Sequence, residues 1–332
     1  MNIAVLGSGS WGTALAMLLL ENGHDVTLWA RSARHAEQMA ATHENPRLSG
    51  VTLPDGLKFS SDLACAAGKE LAVLAVPSFA VRETARAAAA HLDPGALPVC
   101  VAKGIERGTS LRLSQTAEQE LGRVCAVLSG PSHAEEVARG LPTGCVAACA
   151  DLRKAEIVQD AFMNERFRVY AGDDPIGVEL GGALKNIIAL CAGVSDGMGL
   201  GDNTKALLMT RGLTELARLT MALGGRRETV AGLSGVGDLI VTCTSMHSRN
   251  RRAGILIGQG KAPGQAMEEV GAVVEGYYAA ASARELAQKA GVEMPITEQV
   301  YEVLYEGKDP HSVPAALMTR SRKNELENAG WQ

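Results

Sequence analysis

One lysine stands in a setting that could give it acid–base chemistry. Lys185 lies within the apolar stretch Leu180–Cys191, directly before Asn186, and a helix there would be apolar around most of its circumference. Loss of water lowers the pKa of an amine, and a second ammonium such as that of Lys103 would lower it further. Such an amine can pass a proton to or from a reacting oxygen. A lysine that reaches solvent from a buried helix is the competing interpretation, and periodicity alone does not decide between them.

Two later segments carry polar groups suited to a small anionic substrate. Asp238 follows a glycine-rich turn and precedes the hydroxyl of Thr242 by four residues. Its carboxylate could orient Lys185 or accept from a substrate hydroxyl, or it could cap a helix that begins at Leu239. Residues 248–252 read Ser-Arg-Asn-Arg-Arg, and arginine binds phosphate oxygens bidentately. A solvated basic turn or a nucleic-acid patch is the alternative, but so short a segment makes a poor nucleic-acid surface in an acidic chain.

The elements that would position these groups begin at the amino terminus. The apolar run Ile3–Leu6 leads into Gly7-Ser8-Gly9-Ser10-Trp11-Gly12 and then into the helix-forming run Ala14–Leu20. A strand, a glycine turn and a helix in this order are the context in which this spacing binds a dinucleotide. Gly7 allows the tight turn, Gly9 lets backbone N–H groups reach a pyrophosphate, and Gly12 lets the helix pack closely on the sheet. The helix N-terminus would favour the same anion.

The end of the second predicted strand bears on the choice of cofactor. NAD-binding folds place an acidic residue about 20 residues after the glycines, where it holds the ribose hydroxyls. Here the strand over 25–30 ends at Arg31, with Arg34 and His35 close behind, and Asp25 stands too early. A cation in this place fits a 2′-phosphate, so we expect NADP, or both NADP and NAD, as cofactor. Arg31 as a solvated strand end, or stacked on the adenine, is the alternative.

Strands alternate with helices up to Gly172 and no further. Residues 1–172 are therefore predicted to form an α/β domain of Rossmann type, with a doubly wound, mainly parallel sheet. Residues 173–332 lose this alternation and are predicted to form an all-helical, substrate-binding domain. Lys103 and the turn Gly130-Pro131-Ser132 each follow a predicted strand. That carboxyl edge is where open α/β sheets bind ligands. Residues 42–56 are rich in turn-forming types and are predicted to be a long surface loop.

Composition narrows the class of protein. The chain has 332 residues, of which 46% are hydrophobic and 21% charged, with a net charge of −5. These values are typical of soluble globular proteins and argue against nucleic-acid partners. We find neither a signal-peptide pattern nor a run of about 20 apolar residues, so we expect a cytoplasmic protein that is not embedded in a membrane. Seven scattered cysteines without a C-x-x-C pair predict neither a disulfide framework nor a metal site.

Together and in this order, the motifs resemble those of the bacterial NAD(P)-dependent sn-glycerol-3-phosphate dehydrogenases over essentially the whole chain. The residues that carry the resemblance are Gly7–Thr13, Lys103-Gly104, Ser129–Ser132, Leu184–Asn186, Gly235–Leu239, Ser248–Asn250 and Val274–Gly276. The resemblance implies an active site between the two domains, where dihydroxyacetone phosphate and glycerol 3-phosphate are interconverted with NADP or NAD. It also implies a role in supplying glycerol phosphate for glycerophospholipid synthesis. The apolar character of the helical domain favours a homodimer.

The resemblance further implies roles for individual residues. Lys185 would be the proton donor and acceptor, with Lys103 and Asp238 as further catalytic groups. The cofactor would be contacted by Gly7, Gly9, Ser10, Trp11, Gly12, Arg31, Lys103, Ala134, Arg249, Val273 and Glu275. The substrate would be bound by Lys103, Gly130, Ser132, Lys185, Asn186, Asp238, Thr242, Ser248, Arg249 and Asn250.

Two other functions fit parts of the pattern. A β-hydroxyacid dehydrogenase of the same architecture also places a lysine on the helix between the domains. That family expects an asparagine four residues later, where this chain has Ala189, and the basic segment at Arg249 favours a phosphate over a simple carboxylate. A regulator that senses NAD(P) without catalysis is the other alternative, but it would need no proton donor such as Lys185.

Overall fold

An eight-stranded sheet forms the first half of the molecule. The computed structural model describes residues 1–322, Asn324 and Glu325. The strands, β1 to β8, are Asn2–Leu6, Asp25–Trp29, Lys58–Ser60, Leu71–Leu74, Leu97–Cys100, Ala126–Ser129, Thr143–Ala148 and Phe167–Gly172. Their order in the sheet is β3-β2-β1-β4-β5-β6-β7-β8, and every neighbouring pair is parallel except β6 and β7. The mainly parallel, Rossmann-type sheet expected from the alternation is confirmed.

Helices cover both faces of this sheet, which is why its central strands β1, β4, β5 and β6 are almost entirely buried and apolar. In β1, Ile3 and Val5 pack into the core on one face, while Ala4 and Leu6 pack into the core on the other. Six helices, α1 to α6, span Ser10–Glu21, Ala33–Thr42, Val81–Ala89, Leu113–Leu121, Ala134–Ala138 and Leu152–Phe162. The first core receives α1, α2, α5 and α6, and the second receives α3 and α4.

After β8 the described chain is helical. Its helices, α7 to α15, are Pro175–Gly197, Gly201–Ala222, Arg227–Ala231, Asp238–Thr244, Arg249–Gly258, Pro263–Val270, Glu275–Ala290, Pro295–Tyr305 and Val313–Met318. The third core surrounds α7, which Asp174 caps through a bond from the Gly177 N–H. By length and hydropathy α7 meets the criteria for a membrane-spanning helix, but 94% of its most apolar window is buried within the protein. A central core helix passes the same criteria.

The segment 42–56, expected to be a surface loop, is partly built into the domain. Asn45 is buried, and its side-chain amide donates to the Ser8 carbonyl at 3.1 Å and to the Thr13 hydroxyl at 2.7 Å. Leu48 and Leu53 are buried in the same core as α1. The expectation of a surface loop was therefore wrong for these residues, because this segment packs against the glycine turn and supports it.

Candidate active site

The glycine turn at the end of β1 has the shape that a dinucleotide requires. Gly7 adopts a φ of +128°, and a Cβ on Gly12 would lie 2.0 Å from the Gly7 carbonyl oxygen. A Cβ on Gly9 would meet nothing within 4 Å, so the space before the turn is open. Ser10 and Trp11 begin α1, and the buried indole Nε1 of Trp11 has no hydrogen-bond partner among the described residues. These donors fit the pyrophosphate end of a dinucleotide.

The residues after β2 present positive charge. Arg31 and Arg34 are exposed at the start of α2, which Ser32 caps by accepting from the His35 N–H. Burial, and next the charge of Arg47, lower the pKa of His35. Arg47 comes from the segment 42–56, so this segment adds a cation to the same end of the sheet. The arrangement is consistent with a cofactor that carries an additional phosphate.

Two lysines meet at one buried carboxylate in the centre of the site. Asp238, only 1% exposed, accepts from the Lys103 amine at Oδ2 over 2.7 Å and from the Lys185 amine at Oδ1. Lys185 also donates to the Thr242 hydroxyl at 2.7 Å, and Lys103 donates to the Gly130 carbonyl at 2.9 Å. Burial lowers the pKa of Lys185 to about 7, Asp238 opposes this shift, and Lys103 adds to it. An amine that titrates near neutrality can take up and release a proton.

Four elements bring these groups together. Lys103 follows β5 and Gly130 follows β6, so both stand at the carboxyl edge of the sheet. Lys185 projects from the buried part of α7 and is 4% exposed, which decides against a lysine that reaches solvent. Asp238 begins α10, and Thr242 lies one turn later on the same helix. The Asp238 side chain does not cap α10, because both of its oxygens accept from lysines.

Helix α11 supplies the polar groups next to this centre. The Asn250 amide donates to Asn186 Oδ1 at 2.9 Å and accepts from the Gly276 N–H at 2.8 Å, so α7, α11 and α13 are joined through one buried side chain. Ser248 caps α11 by accepting from the Arg251 N–H. Arg249 is the exposed first residue of α11. Burial raises the pKa of Glu275, and the charge of Arg249 opposes this shift.

The other expected site residues lie close to strand ends or at the start of helices. Ser132 donates to the Gly130 carbonyl at 2.9 Å, and Ala134 is the buried first residue of α5. Val273 is half-buried two residues before α13, and Glu275 begins that helix. The Glu275 carboxylate accepts from the Ser78 hydroxyl at 2.6 Å.

Three residues with potential roles are absent from the sequence-based set. Ser78 follows β4, so the strand-end rule that selected Lys103 would also have found it. Asn45 carries no signal in the sequence, since asparagine in a turn-rich segment is ordinary. His133 stands next to Ser132, and its buried Nε2 has no partner in the described part of the chain. Burial, and next the charge of Lys185, lower the pKa of His133.

The described residues include no group of three or more His, Cys, Asp or Glu side chains arranged to hold a metal ion. All seven cysteines are free, and six of them are buried. Burial raises the pKa of these thiols, to about 12 for Cys145, so they behave as apolar core residues.

Family models cover both halves of this structure. Residues 2–155 match the N-terminal part and residues 174–315 the C-terminal part of NAD-dependent glycerol-3-phosphate dehydrogenase. The chain belongs to this family. The resemblance drawn from the motifs is thereby confirmed, as are the Rossmann-type N-terminal domain, the helical C-terminal domain and the NAD(P) cofactor class.

Individual relatives align with this chain over nearly its full length. The chain is 57% identical over 333 residues to a glycerol-3-phosphate dehydrogenase [NAD(P)+] of Moorella thermoacetica, covering 99% of both chains. The crystal structure of a glycerol-3-phosphate dehydrogenase from Coxiella burnetii is 42% identical, with a TM-score of 0.92 over 96% of this chain and 99% of that one. A ketopantoate reductase of Ralstonia eutropha has a TM-score of 0.59 at 16% identity over 95% of this chain and 100% of that one, a likeness of fold alone.

Proposed function

We propose that the protein interconverts dihydroxyacetone phosphate and sn-glycerol 3-phosphate with NADP or NAD. The observation that carries the proposal is the buried pair of Lys185 and Asp238, with Lys103 on the second carboxylate oxygen. Membership of the family supports the substrate and the cofactor class. The reaction then depends on how Lys185, Asp238 and Lys103 transfer a proton to, or stabilise charge on, the bound carbonyl or alcohol.

Lys185 is the proton donor and acceptor in this proposal. As an ammonium it donates a proton to the C2 oxygen of dihydroxyacetone phosphate, and as a neutral amine it accepts the proton of the C2 hydroxyl of glycerol phosphate. Its pKa of about 7 keeps both forms populated near neutrality. Asp238 and Thr242 fix the amine, since each accepts one of its N–H groups.

Lys103 stabilises the negative charge that develops on the same oxygen during reduction. Its amine is held by Asp238 and by the Gly130 carbonyl, so it is oriented before the substrate binds. A cation that is already oriented does not have to rearrange as the negative charge develops, and this is the main source of its stabilising effect on the transition state. Lys103 also shapes the acid–base group, because its charge lowers the pKa of Lys185.

The phosphate of the substrate binds at the N-terminus of α11. Arg249 is exposed there, whereas Arg251 donates to Asp196 at 2.8 Å and anchors the helix to α7. Ser248, Asn250 and Asn186 complete this side, and the helix N-terminus itself favours an anion. Holding the phosphate here presents one face of the C2 carbonyl to the cofactor.

The glycine turn holds the dinucleotide. The turn formed by Gly7, Gly9 and Gly12 leaves room for a pyrophosphate, with Ser10 and Trp11 beside it and Arg31 on the adenosine side. Ala134, Val273 and Glu275 are the further contacts we assign. A bound nicotinamide supplies the hydride to C2 in reduction and takes it back in oxidation. We assign the basic end of β2 to a 2′-phosphate, so we expect NADPH to be used at least as well as NADH.

The β-hydroxyacid alternative predicts a different polar residue on α7. Position 189, where that family expects an asparagine, is Ala189, which is fully buried in the core around α7. The amide beside Asn186 comes instead from Asn250 on α11. The buried, ion-paired Lys185 likewise argues against a regulator that only senses NAD(P).

An absorbance assay of reduced nicotinamide separates these functions. We expect dihydroxyacetone phosphate to consume NADPH or NADH, and a 3-oxo acid such as acetoacetate to consume neither. Turnover of the oxo acid alone would favour the β-hydroxyacid reaction, and binding of NADPH without any turnover would favour the sensor. A supply of glycerol phosphate for lipid synthesis, a cytoplasmic location and a homodimer stay predictions from the sequence.

A further inference from the structure

A short segment after β4 reaches the first turn of α13. The Ser78 hydroxyl donates to Glu275 Oε2 at 2.6 Å, and the Ser78 N–H donates to Oε1 at 3.3 Å. In the next position Phe79 places its ring 6.2 Å from that of Tyr278. Two adjacent contacts therefore join residues 78–79 of the sheet domain to residues 275–278 of the helical domain.

The Glu275 carboxylate depends on Ser78 for its hydrogen bonds. Burial raises the pKa of Glu275, and the two bonds from Ser78 are the largest influences that lower it again, ahead of the charge of Arg249. Glu275 is half-buried, and a carboxylate removed from much of its water is destabilised when it loses a donor, so it would turn away or admit water if Ser78 lost its hydroxyl. Ser78 itself is buried, at 5% exposure, although it lies directly after Pro77 in a connecting segment.

Gly104 closes the same cluster from the end of β5. A Cβ at this position would lie 2.6 Å from the Ser78 Cβ and 3.5 Å from Glu275 Oε2. Neither the serine Cβ nor its backbone can move without disturbing the pair, so glycine is required here for close approach. Because Gly104 directly follows Lys103, the Ser78–Glu275 pair lies against the loop that carries Lys103.

We propose that Ser78 is a positioning residue for the cofactor, acting through Glu275. By holding this carboxylate against the carboxyl ends of β4 and β5, Ser78 places the first turn of α13 at the nicotinamide end of the dinucleotide site. The inference rests on the proposed function in one respect, the assignment of Glu275 as a cofactor contact. Ser78 belongs to the sheet domain and Glu275 to the helical domain, so their bond sets how the two domains share one cofactor.

The test is a double-mutant cycle on NADPH affinity, measured by fluorescence titration without any substrate. Ser78→Ala should raise the dissociation constant about tenfold, since it removes a hydrogen bond to a charged group. Glu275→Ala should raise it at least as much. In the Ser78→Ala/Glu275→Ala double variant we expect the dissociation constant of Glu275→Ala alone, because Ser78 then has no carboxylate to hold. Losses that multiply, or a wild-type affinity in Ser78→Ala, would overturn the proposal.

Phe79→Ala is the matched control. It removes the neighbouring ring contact with Tyr278 but leaves the Ser78–Glu275 pair, and Phe79 is 62% exposed, so the fold should tolerate the change. We expect its NADPH affinity to stay within about twofold of the wild type. An equal loss in Phe79→Ala and Ser78→Ala would mean that simple adhesion between the domains matters and not the position of Glu275.

Gly104→Ala is a second test of the proposal, and it retains both Ser78 and Glu275. The new methyl group should displace Ser78 from Glu275 and raise the NADPH dissociation constant as Ser78→Ala does, and an unchanged constant would contradict the proposal. Thermal unfolding of each variant checks that it is folded. Since no substrate is present, failure of the proposed reaction would leave this test intact. Conversely, failure of the test would leave turnover of dihydroxyacetone phosphate unaffected in the wild type.

Discussion

Lys185 and Lys103 donate to opposite oxygens of the same buried carboxylate. Asp238 provides one negative charge for two amines. Its Oδ1 accepts a hydrogen bond from Lys185, and its Oδ2 accepts one from the Lys103 amine at 2.7 Å. Full protonation of both amines would leave one positive charge uncompensated in a region from which water is largely removed. The pKa of Lys185 accordingly falls to about 7, while Asp238 keeps it from falling further. The site thus holds a lysine that can change its charge near neutral pH.

The rate should depend on pH in opposite directions for the two reactions. Oxidation of glycerol phosphate needs neutral Lys185, so its kcat/KM should rise as the pH increases through about 7. Reduction of dihydroxyacetone phosphate needs the ammonium, so its kcat/KM should fall over the same interval. Initial rates in both directions between pH 5.5 and about 9 would check this. The same slope in both directions would assign the titration to another group.

Replacement of Lys103 should move this pH dependence. Its charge lowers the pKa of Lys185 and its amine occupies one oxygen of Asp238, so Lys103→Ala removes both influences. We expect the rise in kcat/KM for oxidation to shift to higher pH. We also expect kcat to fall, because a stabilising cation is lost. A rise that shifts to lower pH, or does not shift, would show that the two amines are not coupled in the active enzyme.

The resemblance implies contacts of Arg249 with both cofactor and substrate, and we assign its main role to the substrate phosphate, so its loss should matter only for substrates that carry a phosphate. Arg249→Ala should lower kcat/KM for dihydroxyacetone phosphate by about 10- to 100-fold, the range expected for charge-assisted hydrogen bonds. Dihydroxyacetone, which lacks the phosphate, should be reduced slowly and equally by the wild type and the variant. Arg153→Ala, at an exposed position on α6, is the control and should behave as the wild type. An equal loss on both substrates would place Arg249 at the cofactor or in the fold.

The parts of the site that a sequence can predict are those with a local pattern. Gly7, Gly9 and Gly12 specify a turn between a strand and a helix, and the apolar stretch around Lys185 specifies a buried helix. The hydrogen bond between Lys103 and Asp238 joins residues 135 positions apart. The family resemblance placed both residues in one active site, but neither it nor their spacing predicted this bond. Periodicity alone could not decide whether Lys185 reaches solvent, because that depends on α10 packing over it.

Other features lie beyond local patterns for identifiable reasons. Asn45 is buried because the segment 42–56 folds back onto the glycine turn, and its turn-forming composition indicates exposure instead. Helix α11 begins with four polar residues, Arg249 to Arg252, and depends on a cap from Ser248 and on packing against α7. Strand β7 runs antiparallel to β6, and the two are joined by the short helix α5. The alternation of strands and helices in the sequence does not reveal this change of direction. Each of these depends on tertiary contacts.

The most direct test of the account is the turnover of Lys185→Ala with dihydroxyacetone phosphate, measured beside its affinity for NADPH. Loss of the proton donor should lower kcat by about 10²- to 10⁴-fold. The NADPH dissociation constant should remain near that of the wild type, because the glycine turn is untouched. Lys289→Ala, whose side chain is 57% exposed, should retain full activity as the control. Near-normal turnover in Lys185→Ala, with the protein folded and NADPH bound, would remove Lys185 from the mechanism.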